Sequence, residues 1–267
     1  MTAPATPSLP SEQAVSGRVW RWLAAASIVG NIALNYVSQA YPFNGQTNGQ
    51  VSYKYPTLLT PAGYAFSIWG LIFLSLLVYA VWQLLPNQRR NPLPDAIARP
   101  LTLANLLTGL WLVLFAYERL ALSALVMLGI LLSLILVYGR ARELVLANES
   151  PTLSSLPFAL YLGWISVASV INFTLALWGW GWHGEENVRV LLTALLLIVV
   201  VIIGLLIARE FREVAFPLVV AWALVGVWVA RQGAYPELGW LALGGAVVVT
   251  VGGMLLSRRR LQVAAGL

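Results

Sequence analysis

The chain has no cysteine, one histidine (His183) and one lysine (Lys54). No disulfide, thiolate metal site or cysteine nucleophile can form, and cysteine usage says nothing of the redox compartment. Charge is also scarce, at 10% of residues against 60% hydrophobic, with a mean hydropathy of +0.80. That balance excludes a soluble domain and points to an integral membrane protein. Apolar runs of about 20 residues recur, long enough to cross hydrocarbon as helices and too long for alternating barrel strands. None contains a histidine or a lysine, and acids near them fall at their ends. No catalytic pair, metal-ligand set or Schiff-base lysine is available in the membrane, so the chain reads as a non-enzyme with no metal site and no required cofactor. The net charge of +6 needs no nucleic-acid partner, because arginine placement around membrane spans accounts for it.

The predicted class is all-α, a polytopic transmembrane bundle of about eight spans. Residues 1–17, rich in Thr, Pro and Ser, read as a disordered tail without the order of a secretory signal. The spans fall near 20–39, 62–85, 101–117, 120–138, 155–178, 188–208, 214–230 and 238–256. Pro86, Pro92, Pro94 and Pro100 are expected to keep the segment after the second span from being helical. Only Glu118 and Arg119 separate the third and fourth spans, which predicts a tight antiparallel hairpin with those two side chains as an interfacial pair. In the first span Ser27, Asn31, Asn35 and Ser38 recur at helical spacing, a polar stripe that should face protein. Asn31 and Asn35 suit hydrogen bonds across helices or contact with a ligand.

With the amino terminus inside, twelve of the sixteen basic residues lie inside and only Lys54, Arg119, Arg189 and Arg231 outside. This bias predicts cytoplasmic termini. Arginine-rich composition and short loops suggest a bacterial inner membrane. Proline followed by tryptophan recurs in three spans at spacings of eight, seven and five, too irregular for an internal repeat. Trp20, Trp22, Trp178, Trp180, Trp182 and Trp240 sit at span ends, where interfacial anchoring is the plain role. His183 reads as a solvated loop histidine, and the glycine pairs 244–245 and 252–253 as sites of close helix approach. Two matches to a proposed cholesterol pattern, around Tyr117 and Tyr138, carry no weight in a chain so rich in Leu, Tyr and Arg.

Residues 61–73 carry the most specific pattern. A proline opens an apolar helix and Tyr64, Phe66 and Trp69 crowd its top, behind a polar loop at 41–60. Pro61, Gly63, Tyr64, Phe66 and Trp69 resemble the P-P-G-W-x-F-G-P-x-W opening of the second helix in the tryptophan-rich sensory protein family (TspO/MBR), also called the translocator protein or peripheral benzodiazepine receptor family. The copy here is one residue shorter between Phe66 and Trp69, and Tyr64 replaces the first Trp. Residues 108–115 resemble the family's N-x-L-W-x-x-L-F pattern, with Thr108 in place of Asn and Trp111 retained. Pro157, Phe158, Trp164, Val167, Ala168, Ile171 and Asn172 are similar to its fifth-helix pattern.

The resemblance covers roughly residues 20–178. It implies a five-helix core at 18–178 and a three-helix C-terminal extension at 179–267. It further implies a receptor-like or transport-related protein that binds a porphyrin, haem, sterol or isoprenoid lipid. The implied cavity uses Tyr64, Phe66, Trp69, Thr108, Trp111, Trp164 and Asn172 beneath the 41–60 loop, and a homodimer is a possible assembly. Partners on this reading are a hydrophobic small molecule and the bilayer. A small secondary transporter is the alternative, against which stands the lack of an ionisable group at mid-span; a scaffold held in place by its tryptophans is a third.

Overall fold

The computed structural model describes residues 12–258, and its described part is entirely helical and loop. Nine α-helices occur among these residues: α1 (Glu12–Ala40), α2 (Asn48–Lys54), α3 (Ile68–Trp82), α4 (Pro92–Ala116), α5 (Leu120–Leu146), α6 (Leu156–Gly179), α7 (Glu186–Phe211), α8 (Ala215–Arg231) and α9 (Pro236–Arg258). The protein is a polytopic helical bundle. All but the short α2 coincide with the eight predicted spans. Six stretches are long and apolar enough to cross a bilayer: 63–82, α4, α5, 152–179, α7 and α9. The remaining two differ from them in instructive ways. Helix α8 is apolar but has 17 residues, and α1, with 29, is diluted by Arg21, Asn31 and Asn35.

Helices α1, α4, α5, α6 and α3 each touch the next, and α3 returns to α1, closing a ring of five. On the outside of α6 lies α8, with α9 and α7 packed beyond it. The most apolar helix, α7, is also the one with least of its surface covered by protein, as expected of a helix solvated mainly by lipid. Gly163 lets α6 and α8 meet closely, since a Cβ there would lie 3.0 Å from the Val219 Cβ. Of the two glycine pairs in α9, Gly245, Gly252 and Gly253 do sit against α7 or α8, while Gly244 faces open space.

Side-chain contacts sort the connections into two ends. At one, Arg21 grips Asp95 through two nitrogens (2.6 and 2.7 Å) and also donates to the carbonyls of Gln88 and Asn91. There too the buried Arg142 donates to Ser155 and to the Phe211 carbonyl at the end of α7, a cation at a helix C-terminus. At the other end Lys54 meets Glu118, Arg231 meets the 57–60 segment, and Tyr235 meets Glu186. This alternation is what eight crossings require. Among the described residues the first end carries ten arginines and the second carries Lys54, Arg119, Arg189 and Arg231; Arg259 and Arg260 lie outside the described residues.

Several sequence expectations need correction. Helix α1 begins at Glu12, so residues 12–17 of the expected tail are helical, and residues 1–11 lie outside the described residues. The prolines after the second span do not keep α4 from starting early. Pro92 and Pro94 occupy its first turn, where N–H groups have no helical acceptor anyway, and Asn91 caps it by accepting from the Leu93 N–H. Pro100 stays inside the helix. Arg140 and Arg142, expected in a loop, lie on α5, which continues to Leu146. The polar 41–60 loop contains α2, held by a capping box between Thr47 and Gln50.

Candidate functional site

The ring of five helices encloses a cavity of about 400 Å³ near the end that carries the α4–α5 turn. Its aromatic wall is Phe66, Trp69 and Phe73 from the α3 region, Trp111 from α4 and Trp164 from α6. Helix α2 roofs it with Thr47, Asn48, Gly49, Ser52 and Tyr53, and α1 adds Asn35, Tyr36 and Gln39. The segment Gly63–Ser67 is wound as a 3-10 helix before α3 begins. Residues three apart eclipse one another in that winding, so Gly63 and Phe66 share a face, and Trp69 in the first turn of α3 joins them on the cavity. Phe66 meets Trp164 edge-to-face at 5.7 Å, and Trp111 stacks on Phe115 at 4.8 Å.

Asn172 gives the wall its best-defined polar group. Its Oδ1 accepts from the Trp111 Nε1–H at 3.1 Å, and its Nδ2 donates to the Ala168 carbonyl at 3.2 Å. An amide nitrogen has two N–H groups, which leaves one for a ligand. Asn35 spends its own Nδ2 on the Asn31 carbonyl and Oδ1, both at 2.9 Å. Its Oδ1 accepts nothing among the described residues.

Of the sequence-derived site residues, the structure brings Phe66, Trp69, Trp111, Trp164, Asn172 and Asn35 together on the cavity. It places three elsewhere. Tyr64, one position off the eclipsed row, turns outward and meets Trp222 of α8 edge-to-face at 5.3 Å. Thr108 is buried a turn beneath Trp111 and bonds the Tyr161 hydroxyl, on which Trp69 also packs; neither Thr108 nor Tyr161 lines the cavity. Asn31 is buried in the α1–α4 contact, donating to the Asn105 Oδ1 at 2.9 Å. His183 is exposed against Trp178 and does not line the cavity. Tyr36, Gln39, Phe73, Met127 and the α2 residues were not among the sequence candidates. Phe73 had a signal, four residues after Trp69 on one helix face; Met127 had none.

The family model described as TSPO-like protein matches residues 21–255. The chain belongs to the TSPO-like family. The match runs through α9, so the family pattern takes in α7, α8 and α9 as well as the ring. No curated protein and no solved structure matches the chain.

The lining of this TSPO-like cavity holds no charged side chain and, among the described residues, neither histidine nor cysteine. Its indole faces are surfaces on which flat aromatic rings can stack. The lining supplies no imidazole or thiolate; of the side-chain types that ligate haem iron it holds the Tyr36 and Tyr53 phenols and the Met127 thioether.

The roof of the TSPO-like cavity is tied down at two points. Glu118, at the α4–α5 turn with φ 54°, accepts from Lys54 Nζ at 2.6 Å, from the Tyr55 hydroxyl and from Gln46 at 3.2 Å. It pairs with the roof and not with its neighbour Arg119, which overturns the expected interfacial pair. On the extension side, Arg231 donates to the carbonyls of Leu58, Thr57 and Thr60 at 3.0, 3.1 and 3.3 Å. Residues 57–60 are buried, with Leu59 wedged among α6, α7 and α8. Irregular backbone at such a place needs donors from side chains, and Arg231 provides them.

The Lys54 and Tyr55 bonds hold the Glu118 carboxyl below its ordinary value of 4.5, while burial and Glu118 push the Tyr55 phenol up to about 12. Because the folded carboxyl titrates below the free one, its tie to the roof is complete above about pH 5 and is lost as pH falls through the lowered value. Limited proteolysis of the 41–60 loop should therefore be slow at pH 7 and accelerate in acid. Glu118→Gln should be cleaved quickly at pH 7; equal rates in variant and parent would remove Glu118 from the latch.

Proposed function

We propose that the protein is a membrane ligand-binding sensor or regulator, not a catalyst, that takes up a flat conjugated ligand such as a porphyrin. The observation that carries this reading is the convergence of Trp69, Trp111 and Trp164 with Asn172 on one uncharged cavity of about 400 Å³. That volume falls within the roughly 300–1,000 Å³ of small-molecule sites, and each aromatic contact adds about 0.5–1.5 kcal/mol beyond area burial. A sterol or isoprenoid lipid, which lacks the porphyrin's carboxylates, is a second kind of guest that the same apolar wall could take. On the topology favoured by arginine placement, both termini are cytoplasmic and the roof faces outward, so the ligand arrives from the outer leaflet or the space above it. Loss or gain of order in the roof is the change a partner would read.

The test is a titration of protoporphyrin into the detergent-solubilised protein, following tryptophan fluorescence. Saturable quenching is expected, weakened in Trp111→Phe, which also removes the bond to Asn172. Quenching that is linear in porphyrin, or identical in the variant, would mean partition into the micelle and would overturn the proposal.

A further inference from the structure

A second hollow, of about 250 Å³, lies at the same end of the bundle between residues 52–60 and the adjoining ends of α7 and α8. Its wall includes Arg189, Arg231, Thr57, Thr60, Tyr53 and Tyr235. Ser52 and Tyr53 face both this hollow and the aromatic cavity, so the two are neighbours across the roof.

Two guanidinium groups share this hollow, and no carboxylate lines it. The ion pairs among the described residues join Arg21 to Asp95, Lys54 to Glu118 and Arg140 to Glu143, leaving both arginines out. The Arg189 Nε is buried and has no hydrogen-bond partner. Arg231 uses its Nε and Nη2 on the 57–60 carbonyls, and its Nη1 is unbonded among the described residues. Glu186, which accepts from the Tyr235 hydroxyl at 3.0 Å, is exposed and pairs with neither arginine. A buried guanidinium N–H without an acceptor is costly. A tetrahedral oxyanion in the hollow would supply acceptors to both arginines, because arginine forks match phosphate oxygens.

We propose that Arg189 and Arg231 form a binding site for a phosphate group, and that its occupation fixes the 57–60 segment and with it the roof of the aromatic cavity. Arg231 is the coupling element, since the same guanidinium would hold the anion and already holds the three backbone carbonyls. The phosphate could be carried by a lipid headgroup or be free in solution; the recognition chemistry is common to both.

The experiment uses the full chain, purified and delipidated in a neutral detergent, with thermal unfolding as readout at constant ionic strength. One arm adds inorganic phosphate in place of chloride. The other adds phosphatidic acid, with diacylglycerol as the phosphate-free control. Stabilisation by mass action is expected in at least one arm, with an apparent affinity roughly tenfold or more weaker in Arg189→Gln. Arg189→Lys, which keeps charge but loses the fork, should fall between the two and serves if the glutamine variant does not fold. Response to inorganic phosphate supports a free anion, and response to phosphatidic acid alone supports a headgroup. No response in either arm, or an equal response in the Arg189 variants, overturns the site.

Discussion

Alanine at Trp164 is expected to weaken porphyrin binding by roughly 5- to 150-fold, the range set by about 1–3 kcal/mol for a stacked aromatic contact. The indole is only 2% exposed and packs on Phe66 as well as on the cavity. Its removal enlarges the space available to a ligand, so a loss of affinity would identify stacking, and not volume, as the source of binding. The same change opens a void in the helix contact and costs stability, about 3–5 kcal/mol for comparable truncations in soluble cores. Trp164→Phe separates the two effects, because it keeps a ring and most of the packing. It should lose severalfold in affinity with little change in melting temperature. Unchanged binding in Trp164→Ala, measured by the fluorescence titration on folded protein, would mean that the ligand does not lie against α6.

An effect of similar size is expected from a single methyl group far from the ligand. A Cβ at Gly226 of α8 would stand 2.8 Å from the Pro61 Cβ and 2.9 Å from the Ala65 Cβ. Both neighbours are fixed directly to backbone and cannot rotate away. Gly226→Ala must therefore push α8 off the 61–65 segment. Two bonds cross that contact, the Ala62 N–H to the Gly226 carbonyl and the Trp222 Nε1–H to the Ala65 carbonyl, each 2.9 Å. Overpacking of this kind costs about 1–3 kcal/mol, and stretching the two bonds adds to it. The displaced segment is the 3-10 turn that aims Phe66 and Trp69, so porphyrin affinity should fall with melting temperature although Gly226 touches no ligand. Gly244→Ala in α9 is the control, with nothing within 4 Å of its Cβ. If both variants melt and bind alike, the contact between α8 and the 61–65 segment plays no part in shaping the cavity.

These two variants mark how far the sequence could be read. The class and the long helices were legible because six of the spans are long apolar runs, and the arginine bias matches the two ends found by contact. Helix α4 was cut short because proline was read as a stop, when position in the first turn decides whether its missing N–H matters. Helix α2 was invisible since seven residues with an internal glycine and a single aliphatic side chain, Val51, carry little periodicity; its capping box is the one local signal. At the site, the tryptophans came from family pattern, and the 3-10 winding explains what that pattern left open. It aligns Gly63 with Phe66 and turns Tyr64 toward α8. The partners of Glu118 and Arg231 lie 63 or more residues away in sequence, and nothing local announces such pairings.

The contact between α8 and the 61–65 segment bears on how such a chain can be divided. Were the chain to stop after α6, the Ala62 N–H would lose its partner, the Ala65 carbonyl would keep only the Ile68 N–H, and the 57–60 carbonyls would lose Arg231. The ring and the last three helices thus complete one another's backbone. Exchange of either half between related proteins would succeed only if Pro61, Ala65, Trp222, Gly226 and Arg231 travelled as one set.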